Sequence, residues 1–108
     1  MDKALSNITV LDLTRVLAGP YCTMMLADYG ANAIKIEVPG KGDDTRAMGP
    51  KMNDYSMYYA YVNRGKKGIT LNLKEEEGKK IFLEMVKKAD VVVENYRPGV
   101  MDKLSLGY

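Results

Sequence analysis

Ile8-Thr9-Val10-Leu11-Asp12-Leu13 is a short, mostly apolar run that ends in the turn Thr14-Arg15-Val16-Leu17-Ala18-Gly19-Pro20. The run reads as a β-strand. Gly19 can cap a helix and Pro20 is favoured at its first position, so a helix is expected over Tyr21 to Tyr29. Met24, Met25 and Tyr29 fall on or near its packed face, and Gly30 ends it as a left-handed C-terminal residue does. Ala33 to Val38 reads as a second strand. Strand, helix and strand in this order make the unit from which parallel sheets are built.

Outward from this unit the alternation continues. Pro39 to Ser56 is irregular and holds three glycines and two prolines. Loops of that length inside a compact domain are often functional. Met57 to Val62 fits a short helix, Arg64 to Gly68 a basic turn, and Ile69 to Leu73 a third strand with clean alternation. Glu75 to Lys88 is the clearest helix: Ile81, Phe82, Met85, Val86 and Ala89 recur at helical spacing. Glutamates 75 to 77 lie at the positive end of its dipole, and Lys87 and Lys88 at the negative end. Val91 to Glu94 reads as a fourth, buried strand, and Pro98-Gly99 opens a short helix through Leu104. The fold class is therefore α/β with a mainly parallel sheet and right-handed crossovers. Open sheets of this kind bind ligands at the carboxyl ends of their strands. Here those ends are Thr14 to Gly19, Val38 to Thr45, Leu73-Lys74 and Asn95 to Gly99. Four such strands leave an apolar edge, so the 108 residues are expected to belong to a larger protein.

Composition narrows the chemistry. At 46% hydrophobic and 28% charged residues the chain is ordinary for a globular domain. No apolar run reaches membrane-spanning length, no signal core follows Met1, and a cytoplasmic location is the expectation. A formal net charge of +2 gives no reason to expect nucleic acid or a membrane as partner. One cysteine and no histidine exclude an internal disulfide, a catalytic triad and a His-ligated zinc within these residues, and no metal site is expected.

The first turn lacks the glycine spacing of a dinucleotide fingerprint, and Gly40-Lys41-Gly42-Asp43-Asp44 lacks the Ser or Thr of a Walker loop. Asp43 and Asp44 suit an acid–base pair or a Mg²⁺ site, but in a glycine-rich loop they read as solvated turn residues. Tyr55, Tyr58, Tyr59 and Tyr61, followed by Arg64, Lys66 and Lys67, suit base stacking; they equally suit a packing face followed by a solvated turn. Asn95-Tyr96-Arg97-Pro98-Gly99 is either an anion-binding helix start or a plain cap with an exposed arginine. Cys22 reads as a small packed side chain.

Six collinear stretches resemble one family. They are residues 10–20, 26–31, 34–37, 42–46, 63–74 in two pieces (Asn63 to Lys67 and Leu71 to Lys74), and 89–100. Together they look like the N-terminus of class III CoA-transferases, the group of formyl-CoA transferase and carnitine CoA-transferase. The resemblance covers about Leu5 to Tyr108 and implies a Rossmann-like three-layer domain, incomplete in this fragment and completed by residues further downstream. It implies transfer of CoA from an acyl-CoA to a free carboxylic acid through an aspartyl acyl-enzyme. Coenzyme A or acyl-CoA enters as substrate, and no prosthetic group is expected. The full-length parent would be an interlocked homodimer.

No aspartate of this chain matches the family's nucleophile, so the resemblance places no catalytic residue here and implies that the chain alone is inactive. It does place CoA contacts. Leu17 and Ala18 would lie near the pantetheine and the reacting end. Leu71, Asn72, Leu73 and Lys74 would line the nucleotide side. Asn95, Tyr96 and Arg97 would flank the adenosine and diphosphate, and Lys103 would face the phosphates. Leu17 stands where formyl-CoA transferases have glutamine, which points away from formate. An acyl-CoA racemase of the same fold, or a non-catalytic CoA-binding or assembly module, are the alternatives.

Overall fold

The computed structural model describes residues 3–108. Strand β1 (Thr9–Asp12) leads into helix α1 (Ala18–Asp28) and strand β2 (Asn32–Glu37). A 3-10 turn (Asp44–Ala47), a hairpin of β3 (Lys51–Met52) and β4 (Tyr55–Ser56), and helix α2 (Met57–Val62) follow. Strand β5 (Lys67–Thr70), helix α3 (Glu76–Lys88), strand β6 (Val91–Val93) and helix α4 (Val100–Lys103) complete the order. The main sheet runs β5-β2-β1-β6 and every pairing in it is parallel. β1 is thus central, and the chain passes to one side of it for β2 and β5 and to the other for β6.

Two apolar layers enclose the sheet. On one face Leu11, Leu13 and Ile36 pack with Leu73 and with Phe82, Met85 and Val86 of α3, and Met101 and Leu104 extend that layer. On the other face Val10, Ala31 and Ala33 pack with Leu26 and Ala27 of α1. Alternate residues of β1 and β2 feed the two layers, as the pleat requires. The α/β class with a parallel sheet expected from the pattern, and the three layers implied by the resemblance, are what form.

Four local expectations are corrected. The third strand is Lys67–Thr70, two residues earlier than the alternation indicates. Its register against β2 ends at Glu37↔Thr70, and β2 then breaks toward Pro39. Leu71 and Leu73 leave the ladder and pack into the α3 layer, while Asn72 turns the chain by accepting the Lys74 amide at 3.0 Å. Val91 and Val92 are half-exposed because β6 is an outer strand paired only to β1. Helix α1 buries Pro20, Thr23 and Met24, which leaves Met25 and Tyr29 on its open side. Cys22 is exposed there too, and is not a packed core residue.

Helix α3 crosses the Asn72 carbonyl so closely that only a hydrogen fits between them. A Cβ on Gly78 would overlap that carbonyl and its carbon. Gly78→Ala is therefore expected to destabilise the chain by about 2 kcal/mol despite alanine's better helix propensity. Urea unfolding of this variant checks it; unchanged or increased stability would show that α3 and Asn72 are not in contact.

Candidate functional site: a cleft at the carboxyl ends of the sheet

The strands of the sheet all point their carboxyl ends to one side, and a cleft of about 460 Å³ opens there. Its walls come from Leu13 to Arg15 after β1, Ile36 to Pro39 after β2, Leu71 to Lys74 after β5, and Tyr96 after β6. Helix α4 closes one side with Val100 and Leu104. A smaller cavity of about 250 Å³ adjoins at the β1–α1 turn, lined by Arg15 to Ala18, Asp44 and Asn95. Arg15 belongs to both.

All four expected strand ends meet in the larger cleft. Leu71, Asn72, Leu73, Lys74 and Tyr96 all line it. Leu17, Ala18 and Asn95 line the smaller cavity. Arg97 and Lys103 line neither: Arg97 is exposed in the turn before α4, and Lys103 is the exposed last residue of that helix. The Asn95 side chain is committed to protein. Its Oδ1 accepts the Arg15 amide at 3.0 Å, and its Nδ2 donates to the Arg15 carbonyl at 2.8 Å. The two strand ends flanking the crevice, after β1 and after β6, are thereby tied together. Burial pushes the Tyr96 hydroxyl above its usual range, partly opposed by Arg15.

Beneath the cleft lies a layer of buried charge. Asp43, expected as a solvated turn residue, is 1% exposed. Its Oδ2 accepts from Lys35 Nζ at 2.6 Å, and its Oδ1 accepts the Thr45 and Val16 amides at 3.0 and 3.3 Å. Lys35 also donates to the Thr14 carbonyl at 3.0 Å. Burial pushes the Asp43 carboxyl up, but the Lys35 and Thr45 hydrogen bonds outweigh it and hold it below the usual carboxylate range. Asp44 does remain partly exposed, in an ion pair with Lys41 at 3.1 Å.

Glu37 is held in the same way. Arg46 grips it with two hydrogen bonds of 2.8 and 2.7 Å, Tyr59 donates its hydroxyl at 2.8 Å, and the Asp43 amide donates at 2.7 Å. Burial raises the Glu37 carboxyl, yet these donors bring it down to about 2. Arg46 also lies over the Tyr59 ring, 3.9 Å from its centre. Tyr59 is thus part of a polar cluster and not simply a packing face. Lys66, expected in a solvated turn, points inward: its Nζ meets Asp12 at 2.8 Å, Asn63 Oδ1 at 3.0 Å and the Pro20 carbonyl at 3.1 Å. Burial lowers its ammonium below the usual range, against the raising effect of Asp12.

This layer shapes the β1–α1 turn. Val16 sits at φ 72°, a left-handed conformation that a β-branched residue avoids. Its amide is held by Asp43, and the preceding residue by Asn95. One sequence signal could have pointed to the layer: Asp12, Lys35 and Glu37 are charged residues inside otherwise apolar strands, and such positions need buried partners. Among the described residues no group of three or more His, Cys, Asp or Glu side chains is placed to hold a metal ion. Among the described residues no helix is long and apolar enough to cross a membrane.

A parallel sheet whose order turns outward on both sides of β1, with a cleft over the carboxyl ends beside that reversal, defines a Rossmann-type α/β domain. Residues 5–108 match the family model of CoA-transferase family III. The chain belongs to that family. It is 59% identical over 102 residues to the acetyl-CoA:oxalate CoA-transferase of Acetobacter aceti, covering 94% of this chain and 26% of that protein. It is 52% identical over 107 residues to the human succinyl-CoA:glutarate CoA-transferase, covering 98% and 24%. Its fold matches the crystal structure of a CAIB/BAIF family protein from Brucella suis with a TM-score of 0.91 at 40% identity, over 100% of this chain and 30% of the other. The chain thus spans about a quarter of the length of the enzymes it matches.

Proposed function

We propose that this chain is the N-terminal, CoA-holding segment of a class III CoA-transferase. The observation that carries this reading is the cleft at the sheet's carboxyl ends in a chain that the family model matches over residues 5–108. In the reaction, an aspartate carboxylate attacks the thioester carbonyl of an acyl-CoA, forming an acyl–aspartyl anhydride and releasing CoA thiolate. The thiolate attacks the aspartyl carbonyl, which frees the donor acid and leaves an aspartyl-CoA thioester. The acceptor carboxylate attacks that thioester, forming an acceptor–aspartyl anhydride and releasing CoA thiolate, and the thiolate attacks the acceptor carbonyl, forming the new acyl-CoA and freeing the aspartate. No aspartate of this chain is assigned as that nucleophile; the active protein is a homodimer of the longer parent.

The acceptor acids in the names of the enzymes it resembles, oxalate and glutarate, each carry two carboxyl groups, while the named CoA donors are acetyl-CoA and succinyl-CoA. We take the same substrate class for this protein. The larger cleft suits the nucleotide and pantetheine, with Leu71 to Lys74 and Tyr96 along it, and the smaller cavity beside Leu17 and Ala18 suits the acyl end. Arg97 and Lys103 stand outside both cavities and serve the phosphates from the rim.

Titration calorimetry with free CoA tests this reading on the chain itself. Saturable 1:1 binding is expected. Arg97→Ala and Lys103→Ala should each weaken it about fivefold at low salt and less at high salt, as for exposed charge contacts. A chain that is folded by circular dichroism yet takes up no CoA would overturn the assignment.

A further inference from the structure

We propose that Arg15 is the residue that selects a dicarboxylic acyl group, binding the carboxylate at the far end from the thioester. This rests on the CoA-transferase reading above and adds a named specificity determinant to it. Arg15 lies where the two cavities join and lines both. Its peptide cannot drift, because Asn95 holds its N–H and its carbonyl together. Its guanidinium stands 5.4 Å from the centre of the Tyr96 ring, so the side chain is held over the cleft.

The charge balance of the site singles it out. Three carboxylates line the cavities, and each already has a cation of its own: Glu37 has Arg46, Asp43 has Lys35 and Asp44 has Lys41. Two cations line them, Arg15 and Lys74, and among the described residues neither forms an ion pair. Lys74 lies on the β5 side of the larger cleft, outside the smaller cavity. Among the described residues Arg15 is the one cation in the lining of that smaller space, with its guanidinium on the side of Tyr96 in the larger cleft. Its neighbours there include Val16 and Leu17, both with exposed apolar side chains. An apolar wall beside a guanidinium suits a short aliphatic chain that ends in a carboxylate. The planar fork of arginine pairs with a carboxylate through two parallel hydrogen bonds, which a lysine does not reproduce.

Calorimetry with three probes tests the assignment: free CoA, succinyl-CoA, and butyryl-CoA, which has the same chain length without the second carboxylate. The wild-type chain should bind succinyl-CoA about tenfold more tightly than butyryl-CoA, the effect of one charge-assisted contact. Arg15→Gln should abolish that preference, costing affinity for succinyl-CoA about tenfold more than affinity for CoA or butyryl-CoA. Arg15→Lys should keep roughly a threefold preference, since charge remains and the fork does not. A preference that survives Arg15→Gln would overturn the proposal. So would an equal loss for all three probes, which would make Arg15 a phosphate contact. Binding of CoA with no difference between the two acyl-CoAs in the wild type would sink this inference alone. Failure to bind CoA at all would remove the reading on which it rests.

Discussion

Lys35→Met is expected to destabilise the chain by roughly 3–5 kcal/mol, the cost of stranding a buried charge. Lys35 and Asp43 are both essentially without solvent contact, at 1% and 0% of their side chains. Methionine fills the space of the lysine stem but leaves the Asp43 carboxylate in the interior with only two amides to face it. The Thr14 carbonyl loses a donor as well. Replacing both members, as Lys35→Met with Asp43→Leu, should restore part of the loss, because no uncompensated charge remains. Urea unfolding of the wild type, each single variant and the double variant measures the coupling. A Lys35→Met chain within about 1 kcal/mol of the wild type would mean that this pair does not exist in solution. The double variant should still bind CoA poorly, since leucine cannot hold the Val16 amide and the left-handed turn at the mouth of the cleft.

Acid should unfold the chain through Glu37 and Asp43. Glu37 goes from an ordinary 4.5 to about 2 in the fold, and Asp43 is also lowered. A carboxyl whose pKa is depressed by folding stabilises the folded state above its unfolded pKa. That contribution is lost as pH falls through the folded pKa. Glu37 therefore contributes fully above about pH 5, and the contribution drains away between about pH 4.5 and 2. The lost stability is on the order of 3 kcal/mol for Glu37 alone. Glu37→Gln should reduce stability at neutral pH, and it should flatten the fall between about pH 5 and 2.5 that the wild type shows. Denaturant titrations across that range decide it. A wild type and Glu37→Gln pair with parallel pH profiles would show that the Arg46–Tyr59 grip on Glu37 does not lower its pKa.

Much of the fold is legible in the residues because it is local. The apolar run before Thr14, the glycine that ends α1 with φ 104° at Gly30, and the helical spacing of Phe82, Met85 and Val86 are all short-range signals. They specify strand, helix and strand wherever the chain ends up. From that alternation the parallel sheet follows, and from the sheet the side on which a ligand sits. Leu73, Lys74 and Tyr96 fall at the cleft for this reason, and Leu17 and Ala18 at the adjoining turn, whereas Leu71 and Asn72 read as strand residues and only the family resemblance put them at the site.

The exceptions share one cause. Asp43 and Lys66 look like solvated turn residues, and Tyr59 like part of a plain packing face, because nothing within a few positions of them reveals their buried polar partners. Their partners come from other elements: Lys35 and Glu37 from β2, Asp12 from β1. The half-exposure of Val91 and Val92 is likewise a matter of neighbours, since a valine strand is buried only if something covers it. The early start of β5 is set by where β2 stops.

By itself, then, the sequence determined the order of the main-sheet strands and of the helices, the parallel α/β class and the end of the sheet where the cleft opens, because hydrophobic period, capping and turn residues act over a few positions; the short hairpin of β3 and β4 was not among them. Only the tertiary structure decided which charges are buried together, which cation is left unpaired over the cleft, and how the β1–α1 turn is forced into its left-handed shape. Those are outcomes of long-range packing, where a charge taken out of water must find a partner that packing, rather than local spacing, brings to it.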